Sequence, residues 1–344
     1  MKRRDFLQGL TALPAAAWFT GGMMPVIGAE NQGVESMGQV HTVTGTVAAE
    51  TLGVTLPHEH LLVDFIGAAE TSPDRYDPDE VVETVLPHVR AVQVLGVETL
   101  VECTPAYLAR DPQVMARISA ESGLKIITNT GYYGAAQDNF LPPHAFTESA
   151  DELAARWIRE AREGIEDTGI LPGFIKTAVD PGPLSKVDRK LLQAAARTHH
   201  ETGLVIASHT TDATSILETL EVLAAESVPG DAFIWVHAHT VNDTEVQDRA
   251  ADAGIWIELD GLSPDSLALH RELLLFHREQ GRLGQVMISH DAGWYSVGEP
   301  GGGDFRLFDT LFTDMKSALE DAGFSDAEWQ QVVEANPAHA FRIR

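Results

Sequence analysis

Eight short runs of β-branched and other apolar residues recur along the chain, each bounded by turn residues and separated by stretches of helical periodicity. They fall at residues 53–62, 98–105, 124–133, 173–179, 203–210, 232–239, 254–261 and 284–291. Between the fourth and fifth, Val187, Leu191, Leu192 and Ala195 share a helical face and Gly203 closes the helix. In the next helical stretch Ile216, Leu220, Leu223 and Ala224 repeat the spacing. Strand and helix alternating over about 240 residues imply a parallel sheet, because only a crossover brings the chain back in the same direction. Closed on itself, such a sheet is a (β/α)8 TIM barrel. An open doubly wound sheet also alternates, but its nucleotide-binding form carries a glycine-rich turn after the first strand. None follows "HEHLLVDF". "GGMMPVIGAE" and "VHTVTGTVAA", ahead of the first run, are expected to form a linker and a short N-terminal β-hairpin at the bottom of the barrel.

The 344 residues are 44% hydrophobic and 22% charged, a globular composition long enough for a large core. A formal net charge of -27 repels nucleic acid and anionic lipid, and weighs against strongly anionic substrates. Residues 1–29 differ in kind. A basic start with Arg3 and Arg4, then Phe6 and Leu7, leads into an apolar run that ends near small residues, the pattern of a twin-arginine export signal. The run from Leu7 to about Thr20 falls short of the roughly 20 apolar residues of a membrane span, and Pro14, Gly21 and Gly22 interrupt it. The expectation is an exported protein, periplasmic or secreted, with no membrane anchor and a single domain over residues 30–344. The lone Cys103, in "TLVECTP", reads as a packed core thiol with no redox role.

Catalysis in such a barrel sits at the carboxyl ends of the strands, and polar residues collect there. "LPHEH" places His58 and His60 on one face of the first strand with Glu59 on the other. Lys176 stands on the fourth strand, His209 ends the fifth, His237 is on the sixth and Asp291 ends the eighth. Singly, each has an ordinary structural explanation, as a helix cap or a satisfied core histidine. Six at corresponding strand ends converge on one rim. Lys176 is the odd member, because a buried ammonium is costly and repels a metal ion. A neutral lysine amine that adds CO2 becomes a carbamate, a long carboxylate able to bridge two divalent ions. His58, His60 and Asp291 then take one ion, and His209 and His237 the other. Such a pair would lower the pKa of water enough to supply hydroxide near neutral pH.

With these residues in place the chain resembles the phosphotriesterase family of the amidohydrolase superfamily, over nearly the whole length after residue 29. "LPHEH", "GIEDTGILPGFIK", "ASHT", "WVHAH", "ISHDAGW" and "NPAHAF" carry the resemblance, in that order. It implies a binuclear zinc-type centre with a carboxylated lysine, on His58, His60, Lys176, His209, His237 and Asp291. Of the two histidines of the sixth strand, alignment through "IELD" selects His237. His239 points the same way nearer the mouth, and is expected to serve substrate or protons.

Two departures bear on substrate. Organophosphate-hydrolysing members pass a proton from the metal-bound aspartate to a histidine after the seventh strand and on to a second aspartate. The corresponding positions here are Gly261 and Thr240, so that route is missing, as is the arginine that lactonases often carry at the first of them. Tyr133 falls where lactonase-like members have a tyrosine leaning over the metals. The expected reaction is hydrolysis of a lactone or carboxylic ester, with Asp291, Tyr133 and His239 as catalytic residues. Tyr133, Trp294, Tyr295 and Arg306 would bind the substrate, the last three on the loop after the eighth strand, with Gly301, Gly302 and Gly303 allowing it to move. Alternatives with the same centre are an organophosphate triester, a phosphodiester or an amide. A binding protein that had lost catalysis should lack one of the six ligands, and none is missing. The expected partner is a small-molecule ester or lactone, and a homodimer is left open as the assembly.

Overall fold

Two short strands, β1 (Gln39–Thr42) and β2 (Gly45–Ala48), pair antiparallel, and the Thr42 hydroxyl donates to the Gly45 carbonyl to close their turn. They belong to a computed structural model that describes residues 38–344. The export-signal reading of residues 1–29 lies outside the described residues. Next come β3 (Thr55–Val63), β4 (Thr99–Glu102), β5 (Lys125–Ile127), β6 (Asn129–Thr130), β7 (Phe174–Ala178) and β8 (Val205–His209). They are followed by β9 (Phe233–Val236), β10 (Trp256–Leu259), β11 (Val286–Ile288) and β12 (Gly293–Ser296). One sheet runs β6-β7-β8-β9-β10-β11 and the other β12-β3-β4-β5, and every pair in both is parallel.

All eight expected runs contain strand. The third, read as one strand, is broken at Thr128 into β5, which pairs with β4, and β6, which pairs with β7. At the break the Asn129 side-chain amide donates to the Glu102 and Thr104 carbonyls, where a main-chain ladder would otherwise run. Between β11 and β3 there is no regular ladder. There the Asp291 amide donates to the His58 carbonyl at 3.1 Å and the His58 amide to Ser289 Oγ at 3.1 Å. The His60 amide then donates to the Ala292 carbonyl at 2.8 Å, and β12 takes up pairing with β3.

The helices are α1 (Pro78–Val94), α2 (Pro112–Ser122), the single turn α3 (His144–Thr147), α4 (Ala150–Glu163), α5 (Lys186–Thr202), α6 (Ala213–Ala225), α7 (Thr244–Asp252) and α8 (Leu267–Glu279). Short C-terminal helices α9 (Lys316–Glu320), α10 (Asp326–Gln330) and α11 (Asn336–Phe341) follow. In α5 a Ser185–Asp188 capping box starts the helix and Gly203, at φ 74°, ends it. The buried stripe of α6 is Ile216, Thr219, Val222 and Leu223, with Ala224 exposed, so the helix is rotated slightly from the face expected.

Side chains alternate along each strand, which divides the core in two. Leu56, Leu100, Ile126, Ile175, Ile206, Trp235, Ile257 and Ile288 face the helices. Val101, Phe174, Val205, Ala207, Ile234, Val236 and Met287 face the barrel interior. Val40, Ala49 and Leu52 from the N-terminal end, with Ala338, Ala340 and Phe341 of α11, pack against the interior set. Cys103 belongs to it too, and burial raises its thiol well above the ordinary range. Among the described residues no helix is long and apolar enough to cross a membrane.

Candidate metal centre

Strand alternation aims most of the site. Phe174 and Lys176 share the inward face of β7, Ala207 and His209 that of β8, and Trp256, Glu258 and Asp260 that of β10 and its continuation. His237 breaks the pattern. Ile234 and Val236 already face inward, so residue 237 in an extended backbone would turn to the helices; at φ 65° it turns inward instead. Asp291 and Trp294 are also left-handed, at φ 51° and 74°. Non-glycine residues keep that conformation only where their surroundings hold it.

His58, His60, Lys176, His209, His237 and Asp291 all line one cavity of about 360 Å³. Its other wall is apolar, built from Val63, Phe65, Leu108, Phe140 and Trp294. The Nδ1 atom of each histidine is already engaged: His58 at 2.8 Å from Asp260 Oδ2 and 3.0 Å from Glu258 Oε2, and His60 at 2.8 Å from Thr104 Oγ1. Nδ1 of His209 lies 3.1 Å from the Tyr133 hydroxyl, and that of His237 2.8 Å from Asp260 Oδ1. This leaves the Nε2 atoms for a ligand, the arrangement that carboxylate and hydroxyl partners impose on metal-binding imidazoles. His58 Nε2 is 3.5 Å from Lys176 Nζ and 3.8 Å from Asp291 Oδ1, which is 3.1 Å from His60 Nε2.

Donor atoms of His58, His60 and Asp291 lie within 4.8 Å of one another, as do those of His58, His237 and Asp260. In the second group Asp260 is at hydrogen-bond distance from both Nδ1 atoms and also accepts the His237 amide, so it orients the two rings. Burial is the main reason His58 is lowered to about 3, with the Lys176 charge adding to it. His209 lies well below its ordinary value, through burial and then through His237 and Lys176. Neutral imidazole, the ligand form, is thereby favoured. Against burial, the His60 bond and the nearby His58 hold Asp291 below the usual carboxylate range, and His237 and His58 do the same for Asp260. Burial and the Asp260 charge push Glu258 well above it.

Other expected site residues scatter. Tyr133 lines the cavity, but its hydroxyl is bonded to His209, and burial raises the phenol. Trp294 also lines it, edge-on to His60 at 6.0 Å between ring centroids. Tyr295 does not, because one residue further along β12 its side chain turns to the helix side, where burial and then the neighbouring Glu80 push the phenol up to about 12. Arg306 is exposed, its guanidinium 4.9 Å over the Trp294 ring, behind the cavity wall. His239 also stands outside the cavity lining, with Nδ1 3.2 Å from Asp260 Oδ1 and its ring 5.0 Å from that of His270. It fills the space over Gly261, where an added Cβ would come within 2.3 Å of its Nε2. Thr104, Glu258 and Asp260 escaped sequence reasoning, although two acidic residues on the inward face of the apolar run "WIELD" were a readable signal.

A sequence profile of the phosphotriesterase family matches residues 38–341. The chain belongs to the phosphotriesterase family. Members of this family are metal-dependent hydrolases. A phosphotriesterase homology protein of Escherichia coli K12 is 29% identical over 294 residues, covering 84% of this chain and 98% of its own. An aryldialkylphosphatase of Saccharolobus solfataricus is 29% identical over 250 residues, covering 72% and 79%. Among solved structures, an organophosphorus hydrolase from Deinococcus radiodurans superposes with a TM-score of 0.80 at 25% identity, covering 89% of this chain and 98% of its own.

Proposed function

We propose that the protein hydrolyses a lactone or carboxylic ester with two divalent ions of the zinc type. The observation that carries this reading is the set of four imidazoles, each held at Nδ1 by another side chain, around Lys176 and Asp291 in one cavity. Lys176 is 2% exposed and has no carboxylate partner among the described residues. Its neutral amine would add CO2, forming an N–C bond and releasing one proton, and the resulting carbamate would lie between the two ligand groups. The ions, when bound, would polarise the scissile group and supply a nucleophile from water at neutral pH. His58, His60 and Asp291 would hold one ion, and His209 and His237 the other.

Asp291 Oδ1 is the base that receives the proton of the attacking water and returns it to the leaving alkoxide, which stays tethered nearby when the substrate is a ring. Phe65, Phe140 and Trp294 offer an apolar surface for the uncharged part of an ester and exclude water from that side. Tyr133 stands at the same wall, placed to donate to the substrate carbonyl when its hydroxyl leaves His209. The names of the aryldialkylphosphatase relative and the organophosphorus hydrolase structure favour a second reading, a phosphotriester substrate.

Comparing kcat/KM for lactones, aryl esters and phosphotriesters on wild type and Tyr133→Phe separates the two. The expected result is a preference for esters or lactones, with a selective loss of about 10² to 10³ in that class on removal of the hydroxyl, as for one donor to a developing oxyanion. A phosphotriester preference in wild type would overturn the reading. Equal losses in both classes would reduce Tyr133 to a support for His209.

A further inference from the structure

Glu59 lies between the two histidines of β3 and points away from them, yet it is completely buried. A carboxylate in that position is costly unless its oxygens find donors. Oε1 accepts from Ser289 Oγ at 2.8 Å, from the His290 amide at 3.1 Å and from His290 Nδ1 at 2.7 Å. Oε2 accepts from the Ala292 amide at 2.9 Å. All four donors come from residues 289–292, the stretch between β11 and β12 that carries Asp291, where the regular ladder to β3 gives way to two main-chain bonds, Asp291 to His58 and His60 to Ala292. The His290 ring is fixed as one tautomer, since its Nε2 accepts the Leu311 amide at 3.1 Å while Nδ1 donates to Glu59. Asp291, in the middle, has the left-handed backbone that needs such support.

We infer that Glu59 is a positioning residue that sets Asp291 against His58 and His60. One stretch of β3 thus presents two ligands inward and, on its opposite face, fixes the third, so the three side chains keep register with one another whatever small shift the strand undergoes. A main-chain ladder could not do this at 289–292, because the backbone there turns to bring the carboxylate into the cavity. The inference rests on the metal-dependent reading proposed above.

Glu59→Gln keeps the shape but sets an NH2 group against one of the four donors. The test is titration of metal-free protein with Co(II), following visible absorption under chelator competition, with circular dichroism to check the fold. Wild type is expected to take two ions. The variant should bind one of them about 10- to 100-fold more weakly, the range for loss of a group that orients a metal ligand, with an altered absorption spectrum and the second ion retained. Unchanged affinity and spectrum, or equal loss of both ions in a folded variant, would overturn the role of Glu59 alone. Failure of wild type to bind Co(II) would instead overturn the metal-dependent reading beneath it. If Glu59→Gln does not fold, Glu59→Asp keeps the charge but draws the carboxylate back from its four donors. A several-fold selective loss at one ion then supports the inference, and undiminished binding overturns it.

Discussion

Lys176 is the residue on which the site turns, a buried amine beside the His58 imidazole with no carboxylate paired to it among the described residues. Lys176→Ala should lose both divalent ions as measured by metal analysis, and short carboxylic acids should restore part of the content by standing in for the carbamate. Two retained ions in that variant would remove the carbamate from the account. Protonation is the second expectation at this scale. Burial lowers His58 to about 3 and His270 and His277 to about 4, and takes His209 well down, whereas it raises Glu102 to about 7 and Glu258 well above its ordinary value. Between about pH 5 and 6.5 the unfolded chain therefore binds protons on four histidines that the folded one leaves neutral, and the folded chain keeps protons on two carboxyls. The balance favours proton uptake on unfolding, so stability of the metal-free protein should fall as pH drops through this window, by roughly 1.4 kcal/mol per pH unit for each net proton. Urea midpoints taken across it, if flat, would contradict the assignment. The six side chains that gather in one cavity were legible because each stands in or at the end of a strand-like run. Asp260 and Glu258 could be seen as inward-facing acids, but their role could not, since it is a bond to Nδ1 atoms on other strands. Tyr295 was misread because facing could not be counted across the turn at Asp291.

At the scale of elements, two glycines let strands approach beside Lys176 and His60. A Cβ on Gly131, at φ 114°, would meet the Lys176 carbonyl at 2.0 Å, and one on Gly293, at φ 98°, the His60 carbonyl at 1.9 Å. Both contacts are with backbone that cannot step aside. Gly131→Ala should therefore push β6 off β7 and cost about 2 kcal/mol or more in chemical denaturation, with weaker metal binding. Gly284→Ala, facing open space and without a left-handed backbone, should stay within about 0.5 kcal/mol. Equal midpoints for the two variants would show that the close approach carries no stability. The order of strands and helices was readable from alternation alone, because period-2 and period-3.6 patterns report the local backbone. The division of the third strand was not readable, because it depends on which neighbour each half bonds and on Asn129 bridging to β4. The shifted stripe of α6 has the same kind of cause: Thr219 is neutral to a hydropathy pattern yet takes a buried place.

Over the whole molecule the barrel is finished at its bottom by residues distant in sequence, Val40 and Leu52 from one end and Phe341 from the other, with Phe341 edge-on to Phe174 at 5.5 Å. At the top, the join between the last strand and the first has two main-chain bonds, from the Asp291 amide to His58 and from the His60 amide to Ala292, and otherwise relies on side-chain acceptors, Ser289 Oγ for the His58 amide and Glu59 for those of His290 and Ala292. The β7–β8 pair, by contrast, has five consecutive residues in register. A bond to a side chain opens when that chain rotates, whereas a ladder opens only when strands part. The polypeptide thus has a seam, and it runs through the candidate metal centre. In deuterated solvent the metal-free protein should exchange the amide protons of His58, His290 and Ala292 well before those of β7 and β8, by local opening rather than global unfolding, and divalent ions should slow the first group selectively. Peptide-resolved exchange that finds both groups equally protected would mean that the join is as firm as the sheet. If the ions do slow it, metal loading is also the step that locks the cylinder, and a chain still empty of metal would be the form most exposed to proteases at that end.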